Sequence, residues 1–335
     1  MKFNDEQLRI ANNLHQYYNA WLDTKRELLA RDYSLSWVLK GGTEYLRWRS
    51  PTKDTTIGPR DAQTEQQLVE HQTTVAALKE QEQVQGDLLF QACRQYKALR
   101  MSTIASAAAA ILLQADLRGY LGSVLMVVGT NAMAAYELEA ASRFAIGMDA
   151  TEDFDLAWAG DNKTVLALAS QTPLSLLQLL KSIDSTYTVN TERTFQARNR
   201  NAYEVELLVA PSRQSSLPRT IGLAPIPMPE QEWLLQGRPV DQVVCGLDGI
   251  PAHIIAPDPR WFALHKLWMA EKPERNPLKK PKDARQGKAL LDAVAKEMPH
   301  YPLDEAFREE LPDELKAHFD RWSNSRPAQA PTRPF

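Results

Sequence analysis

Residues 121–158 carry the sequence LGSVLMVVGTNAMAAYELEAASRFAIGMDATEDFDLAW. The run SVLMVVG is a short, continuous apolar segment that ends in glycine, and this pattern predicts a buried strand. NAMAAYELEAAS then predicts a helix, and ATEDFDLAW predicts a second strand. Side chains two apart on a strand point the same way, so we expect Asp153 and Asp155 on one face. The stretch therefore predicts the centre of an α/β region.

Two parts of this stretch suit a nucleotide. Gly129 and Thr130 lie where the first strand runs into the helix, and there backbone N–H groups and a hydroxyl can bind phosphate oxygens. An ordinary turn into a helix is the alternative. The carboxylates of Asp153 and Asp155 are hard oxygen ligands of the kind that holds Mg²⁺ against a triphosphate. The alternative interpretation is that both aspartates lie on the solvated face of an edge strand.

A third carboxylate comes from a later hairpin. TFQARN and AYEVELLVAP predict two strands that turn near NRN, with Glu204 and Glu206 on the face opposite Val205 and Leu207. Glu206 lies inside an apolar strand, where an unpaired charge is costly unless it faces a cleft or a cation. We therefore assign Glu206 to the metal site, and Glu204 remains the alternative.

Composition limits the class of protein. The chain has 335 residues, of which 44% are hydrophobic and 24% are charged, as in soluble globular proteins with room for two or three domains. The net charge of -3 argues against a molecule that binds nucleic acid over its whole surface, so any such contact is local. The segment RNPLKKPK is the candidate, although solvated lysines are the favoured interpretation.

The chain is expected to be cytoplasmic and free of membrane contact. Cys93 and Cys245 show no metal-ligand or disulfide spacing, which fits a reducing compartment. The start MKFNDEQLRI carries charges where a signal peptide is apolar. Residues 101–115 are apolar but alanine-rich and too short to span a bilayer, so they predict a buried helix.

We divide the chain into four regions. Residues 1–118 are predicted to be helical, with Asn4 or Asp5 as the first cap, a loop over residues 39–63 and a break near Gly86. Residues 119–257 form the core with a mixed sheet, residues 258–322 return to helix after a cap at Asp258, and residues 323–335 are predicted to be a disordered tail. The fold class is α/β (α+β), a small mixed-sheet core flanked by N-terminal and C-terminal helical regions.

Taken together, these motifs resemble the polymerase-β-like nucleotidyltransferase superfamily. The features are Gly-Thr at a strand-to-helix turn, TEDFDL on the next strand and a later acid in YEVELLVAP. Within it the chain is most similar to a bacterial group of nucleotidyltransferase-like proteins with a TIGPR-like loop, GTNA followed by AYE, an HK pair and a KDARQ-like segment. The resemblance covers roughly residues 40–295. This chain has Gly-Thr where the superfamily more often has Gly-Ser, and glutamate where its third acid is more often aspartate.

The resemblance implies a role for each matching residue. Asp153, Asp155 and Glu206 would hold Mg²⁺, or alternatively Mn²⁺, and Glu206 would help to take the proton from the attacking hydroxyl. Gly129 and Thr130 would bind the β and γ phosphates of an NTP. Lys266 would offer a cation to the triphosphate, with a solvated helix face as its alternative, and Lys282 with Asp283 would form a further C-terminal motif. An acceptor hydroxyl would attack the α-phosphate and release pyrophosphate.

Two functions follow from different classes. The first is a Mg²⁺-dependent nucleotidyltransferase that moves a nucleoside monophosphate onto RNA, protein or a small molecule. The second is a catalytically inactive binding protein with the same fold, as in a toxin or defence component. An inactive protein is favoured if Glu206 points away from the aspartates or if side chains fill the nucleotide cleft. Residues 1–118 could build an acceptor site or a dimer interface, and their pattern does not decide the oligomeric state.

Overall fold

The computed structural model describes residues 1–144, 153–169 and 174–326. Contacts divide the chain into two compact units. We call Asn12–Gln95 the N-terminal unit, and Met1–Ala11 with the described residues from Tyr96 onward the main unit. Every residue that the sequence analysis assigns to the site belongs to the main unit.

The N-terminal unit contains a small sheet that the sequence analysis did not predict. Its elements, including the helices that continue into the main unit, are α1 (Asp5–Ala30), β1 (Ser34–Lys40), β2 (Thr43–Arg49), β3 (Asp54–Pro59) and α2 (Ala62–Ala98). Within residues 12–95, all of which are described, the strands form an antiparallel sheet in the order β1-β2-β3. The predicted loop over residues 39–63 is therefore wrong. Both strands that it covers are largely solvent-accessible, so they lack the apolar alternation that marks a half-buried strand.

Two glycines account for the local errors in this unit. Gly41 and Gly42 have φ of +57° and +86° and join β1 to β2 as a two-residue hairpin, which we had interpreted as part of a longer loop. The break expected near Gly86 is absent, because α2 runs unbroken through this residue. A Cβ at Gly86 would lie 3.6 Å from Nε1 of Trp21, an ordinary contact, so neither the backbone nor the packing of the helix is interrupted here.

The predicted cap of α1 is confirmed. Asn4 Oδ1 accepts a hydrogen bond from the backbone N–H of Gln7 at 2.9 Å, and Gln7 Oε1 accepts one from the backbone N–H of Asn4 at 3.0 Å. This reciprocal pair satisfies two donors that the first helical turn would otherwise leave free. Just before α2, Nε of Arg60 donates to Glu65 and Nη1 donates to Glu44, each at 2.8 Å, and these bonds tie β2 to the first turn of the helix.

The main unit has the mixed α/β composition that the sequence predicts. In chain order its described elements are β4 (Thr103–Ile104), α3 (Ser106–Leu117), β5 (Leu125–Val128), α4 (Met133–Glu139), β6 (Asp153–Trp158), α5 (Asn162–Ala169), α6 (Leu176–Ile183), β7 (Thr188–Val189), β8 (Gln196–Arg198), β9 (Glu204–Val209), β10 (Val240–Gly246), β11 (Pro251–Ala256), α7 (Pro259–Glu271), α8 (Lys280–Glu297), α9 (Glu305–Glu310) and α10 (Asp313–Ser325). Helices flank small mixed sheets, which confirms the predicted fold class.

The larger sheet of the described main unit has the order β5-β6-β9-β8-β7. All residues of β5 are buried, as the continuous apolar run LMVV predicts. β8 and β9 form the predicted antiparallel hairpin, and β9 alternates between accessible and buried side chains. β6 and β9 are parallel, because the chain between them crosses over through α5, α6 and the β7–β8 pair. This parallel pair sets the positions of the predicted acids.

A second sheet and a buried helix complete the core. β11, β10 and β4 form this sheet, which the sequence analysis did not resolve into strands. The alanine-rich α3 packs against it with buried Ala108, Ile111 and Leu112, so the predicted buried helix is confirmed. Among the residues described, no helix is both long enough and apolar enough to cross a membrane.

The C-terminal region is helical, as predicted, and its first helix begins at the predicted cap. Oδ1 of Asp258 accepts a hydrogen bond from the backbone N–H of Arg260 at 2.9 Å, which confirms the predicted cap of α7. The helix α10 continues to Ser325, so the predicted disordered tail starts too early at residue 323. The rest of that predicted tail, residues 327–335, lies outside the described residues.

A partly buried histidine in the main unit predicts a pH-dependent stability. His253 lies on β11. Its Nδ1 is 2.8 Å from Oδ2 of Asp116 on α3, and its Nε2 is 2.7 Å from Oδ1 of Asp241 on β10. Burial lowers the pKa of His253, but the hydrogen bonds and charges of both carboxylates outweigh it and raise the pKa to about 9. The folded pKa exceeds the ordinary value of 6.5, so this stabilisation is complete below pH 6.5 and is lost as the pH rises through 9.

We expect His253→Gln to lower the free energy of unfolding by about 2–3 kcal/mol more at pH 6 than at pH 10. Denaturant unfolding of the wild type and the variant at both pH values measures this difference. Asp241→Asn removes one of the two carboxylates and should move the midpoint of the pH dependence downward. An equal difference between wild type and His253→Gln at pH 6 and pH 10 would contradict the charged pairing.

Candidate active site

The predicted acids meet on one face of the parallel β6–β9 pair. The register pairs Asp155 with Glu206 and Asp153 with Glu204. Phe154 and Val205 alternate with these acids and are fully buried on the opposite face. Burial of the apolar face fixes which way each strand presents its carboxylates. Asp153, Asp155 and Glu206 consequently line one cleft.

Gly129 brings backbone directly against this cluster. It follows β5, whose last residue Val128 pairs with Asp155. Gly129 has φ of +73°, and a Cβ built on it would lie 1.9 Å from Oδ2 of Asp155. Only glycine combines this backbone conformation with such a close approach. The next residue, Thr130, is buried, and its hydroxyl accepts a hydrogen bond from Nε2 of Gln286 at 3.4 Å.

The cleft also collects positive charge from α7 and the segment that leads into α8. Lys266 is buried, and its Nζ donates to Oδ1 of Asp283 at 2.9 Å. Nε of Arg275 donates to the other oxygen of Asp283, Oδ2, at 2.7 Å. The solvated-face alternative for Lys266 is therefore wrong. Lys282, the other predicted cation, lines the cleft as well.

The structure adds Lys279, which the sequence analysis did not assign to the site. Its Nζ donates to Oδ2 of Asp153 at 2.6 Å, across 126 positions of sequence. Burial lowers the pKa of Lys279, but the hydrogen bond and charge of Asp153 outweigh this effect and raise it. We had favoured solvated lysines for RNPLKKPK, yet Arg275, Lys279 and Lys282 from this segment all line the cleft. Sequence spacing alone gives no sign that these cations face the aspartates.

The remaining wall of the cleft is largely apolar. It is lined by Val128, Leu208, Met228, Glu230, Gln231, Leu234, Phe262, His265 and Met269. The empty volume, including the open mouth, is about 920 Å³. The cleft lining thus combines carboxylates and cations with flat and flexible apolar side chains. Such a combination suits a ligand that has both charged and apolar groups.

Comparison with known proteins agrees with this geometry. Residues 106–312, more than half of the chain, match a family described as nucleotidyltransferase. The chain belongs to this nucleotidyltransferase family. Membership makes it a transferase with an NTP as substrate. Comparisons with curated proteins and with solved structures found no match.

In this nucleotidyltransferase the three carboxylates repel one another. Desolvation, followed by the charges of Asp153 and Glu206, raises the pKa of Asp155 to about 7. Desolvation also raises the pKa of Glu206, although a hydrogen bond from Gln196 partly offsets this. Crowded acids with raised pKa values are typical of sites that bind a cation or move a proton.

The carboxylates offer the hard oxygen ligands that Mg²⁺ prefers. In the described part of the chain, however, no three acidic, histidine or cysteine side chains stand together as a finished metal cage. Lys279 holds Asp153, and Nε2 of Gln196 donates to Oε1 of Glu206 at 3.0 Å. The acids therefore fit a divalent cation in the chemistry of their oxygens, while Lys279 and Gln196 bond two of them in the arrangement that the structure describes.

Glu204, the alternative third acid, is held differently. It faces the same side of β9 but does not line the cleft. Oε2 of Glu204 accepts a hydrogen bond from Gln196 at 2.8 Å, and Oε1 lies 3.4 Å from Nε of Arg198. This geometry favours Glu206 over Glu204 as the acid that faces a nucleotide.

Proposed function

We propose that this family member is a Mg²⁺-dependent nucleotidyltransferase of the polymerase-β-like type. It transfers a nucleoside monophosphate from an NTP to an acceptor hydroxyl on RNA, protein or a small molecule. One observation carries the proposal: Asp153, Asp155 and Glu206 line the same open cleft as Lys266, Lys279 and Lys282. Carboxylates for a cation and lysines for phosphates are the two requirements of this reaction.

Asp153, Asp155 and Glu206 are the residues that would hold the divalent cation. Mg²⁺ or Mn²⁺, when bound there, would neutralise charge on the phosphates and lower the pKa of the attacking hydroxyl. The negative charge of the three acids is costly in the folded protein, as the raised pKa of Asp155 indicates. This cost provides part of the driving force for binding a cation.

The cations and the Gly129 turn orient the triphosphate. Lys279 pairs with Asp153 in the protein alone, and its ammonium group would donate to a phosphate oxygen of a bound NTP. Lys282 lies in the same cleft, and burial together with the charge of Lys266 lowers its pKa. Adding an anionic ligand relieves this repulsion between cations. Backbone next to Gly129 approaches the ligand closely because no side chain intervenes.

The residues then support direct displacement at the α-phosphate. The acceptor oxygen forms a bond to the α-phosphorus as the bond to pyrophosphate breaks. Glu206 accepts the proton of the acceptor hydroxyl, and its raised pKa makes it a better base than an exposed glutamate. Lys266 and Lys279 stabilise the charge on the departing pyrophosphate. Most of the rate acceleration comes from positioning and electrostatic stabilisation.

The catalytically inactive alternative was tied to two features of the cleft. One was a Glu206 that points away from the aspartates, and the other was a cleft filled by side chains. Glu206 lines the cleft together with Asp153 and Asp155, and the cleft is open. Both observations support an active enzyme over an inactive binding protein.

A label-transfer assay tests the proposed function. Purified full-length protein is incubated with Mg²⁺ or Mn²⁺, each α-labelled NTP in turn, and a mixture of cellular RNA, protein and metabolites. We expect the label to move to one acceptor class, with pyrophosphate released, and a γ-labelled NTP to transfer nothing. Chelation by EDTA should abolish the transfer. NTP binding without transfer under any of these conditions would contradict catalysis and favour a binding protein.

A further inference from the structure

Two residues of the cleft lining have buried polar atoms without partners. Both ring nitrogens of His265 and Oε1 of Gln231 make no hydrogen bond to any described residue. His265 is 7% exposed and Gln231 is 5% exposed, and both line the cleft. Leaving a buried polar atom unsatisfied costs about 1–3 kcal/mol. Such atoms in a ligand cleft therefore indicate groups that the ligand satisfies.

Two neighbouring elements hold these residues. His265 lies on α7, directly before Lys266, and Gln231 lies on the 3₁₀ helix Pro229–Leu235. Glu230 and Lys272 join the two elements through an ion pair of 2.9 Å. The His265 ring packs beside a pair of indoles, with its centroid 6.2 Å from that of Trp233 and 6.3 Å from that of Trp268, and the two indole centroids are 5.0 Å apart. The ion pair holds the two elements together, and the indoles restrict the position of the imidazole.

The unsatisfied atoms limit what the ligand can be. Burial, and then the charge of Lys266, lowers the pKa of His265 to about 3, so the ring is neutral and has one donor and one acceptor. Gln231 Oε1 is an acceptor. The two ring nitrogens point away from each other, so one ligand edge meets only one of them. Gln231 Oε1 requires a donor on the ligand, whereas phosphate oxygens present acceptors only. A nucleobase edge has both kinds of group, and its flat faces suit the apolar side chains of Met228, Leu234 and Phe262 that line the same cleft.

We propose that His265 and Gln231 recognise the base edge of the bound NTP and make binding depend on the identity of the base. This inference rests on the proposed function, since it assigns the NTP phosphates to the lysines of the cleft. His265 and Gln231 are then specificity residues, whereas Lys266, Lys279 and Lys282 bind all four NTPs alike.

The experiment compares dissociation constants for ATP, GTP, CTP, UTP, ribose 5′-triphosphate and inorganic tripolyphosphate, all with Mg²⁺. The proteins are the wild type, His265→Phe, Gln231→Met and the control Met269→Leu. Phenylalanine keeps a ring beside the two indoles, and methionine keeps the length of glutamine, so each variant mainly removes polar atoms. Met269→Leu alters the same wall without removing a hydrogen-bonding group.

We expect the wild type to bind its preferred NTP at least about tenfold more tightly than ribose 5′-triphosphate. Each of His265→Phe and Gln231→Met should reduce this preference about fivefold or more and leave tripolyphosphate affinity within about twofold. Met269→Leu should keep the base preference. The wild-type comparison with ribose 5′-triphosphate tests the inference even if a variant fails to fold.

Three results would contradict the recognition of the base by His265 and Gln231. The wild type could bind all four NTPs and ribose 5′-triphosphate equally well. Folded His265→Phe and Gln231→Met could keep the wild-type preference, or could change only the KM of the acceptor. In each of these cases tripolyphosphate still binds, so the proposed function survives. If neither NTPs nor tripolyphosphate bind, the proposed function fails and the base-recognition inference fails with it.

Discussion

Replacing Asp155 with asparagine is expected to reduce nucleotidyl transfer about 1000-fold or more while making the metal-free protein more stable. Asparagine keeps the shape of the side chain but removes the charge that would hold the cation. Asp155 has its pKa raised to about 7, above the ordinary value of 3.8. Its ionisation therefore destabilises the fold progressively from about pH 4 to pH 7, and the full cost remains above that range.

Two measurements separate a catalytic role from a structural one. Transfer of the α-label gives the activity, and thermal unfolding in EDTA gives the stability. We expect Asp155→Asn to raise the free energy of unfolding at pH 8 by about 1–3 kcal/mol. A variant that loses activity because it unfolds would instead melt at a lower temperature.

The two glutamates of β9 allow the same substitution to be compared inside and outside the acid cluster. Glu206→Gln should lower transfer about 100-fold or more, because it removes the third acid from the cleft. Glu204→Gln makes the same chemical change two residues away, on a side chain that bonds Gln196 and Arg198. We expect it to keep transfer within about threefold of the wild type. The opposite order of effects would make Glu204 the third acid and contradict the assignment of Glu206.

Replacing Gly129 with alanine is expected to have the second large effect. A Cβ at this position would lie 1.9 Å from Oδ2 and 2.8 Å from Cγ of Asp155. Alanine is also strained at φ of +73°. Backbone or carboxylate must therefore move, which we expect to cost about 3–5 kcal/mol of stability and about 100-fold in transfer. Chemical denaturation and the label-transfer assay measure the two effects.

Gly122 is the control for this variant. It has the same φ of +73°, but its added Cβ would meet only Ile255 at 3.6 Å, an ordinary contact. Gly122→Ala should therefore cost only the conformational strain, about 1–2 kcal/mol, and leave transfer per folded molecule unchanged. If the two variants lose similar stability and Gly129→Ala keeps its activity, the close approach of this turn to Asp155 is unimportant for function.

The local pattern of the sequence was sufficient to predict most elements of the core. The fully buried LMVV of β5 and the alternation of EVELLV on β9 follow from apolar residues that seek the core. The caps Asn4 and Asp258 follow from side chains that satisfy the first free N–H groups of a helix. Local patterning failed for β1, β2 and β3, whose faces are too exposed to leave an apolar period.

The sequence by itself determined that Asp153 and Asp155 share a face, and that Glu204 and Glu206 share another, because side-chain alternation is a property of a single strand. Only the tertiary structure decided that the two strands are parallel neighbours and that Glu206 lies opposite Asp155. It also decided that Lys279 reaches Asp153 and that His265 and Gln231 line the same cleft. Strand order, register and contacts between distant segments depend on how the whole core packs, and no local period encodes them.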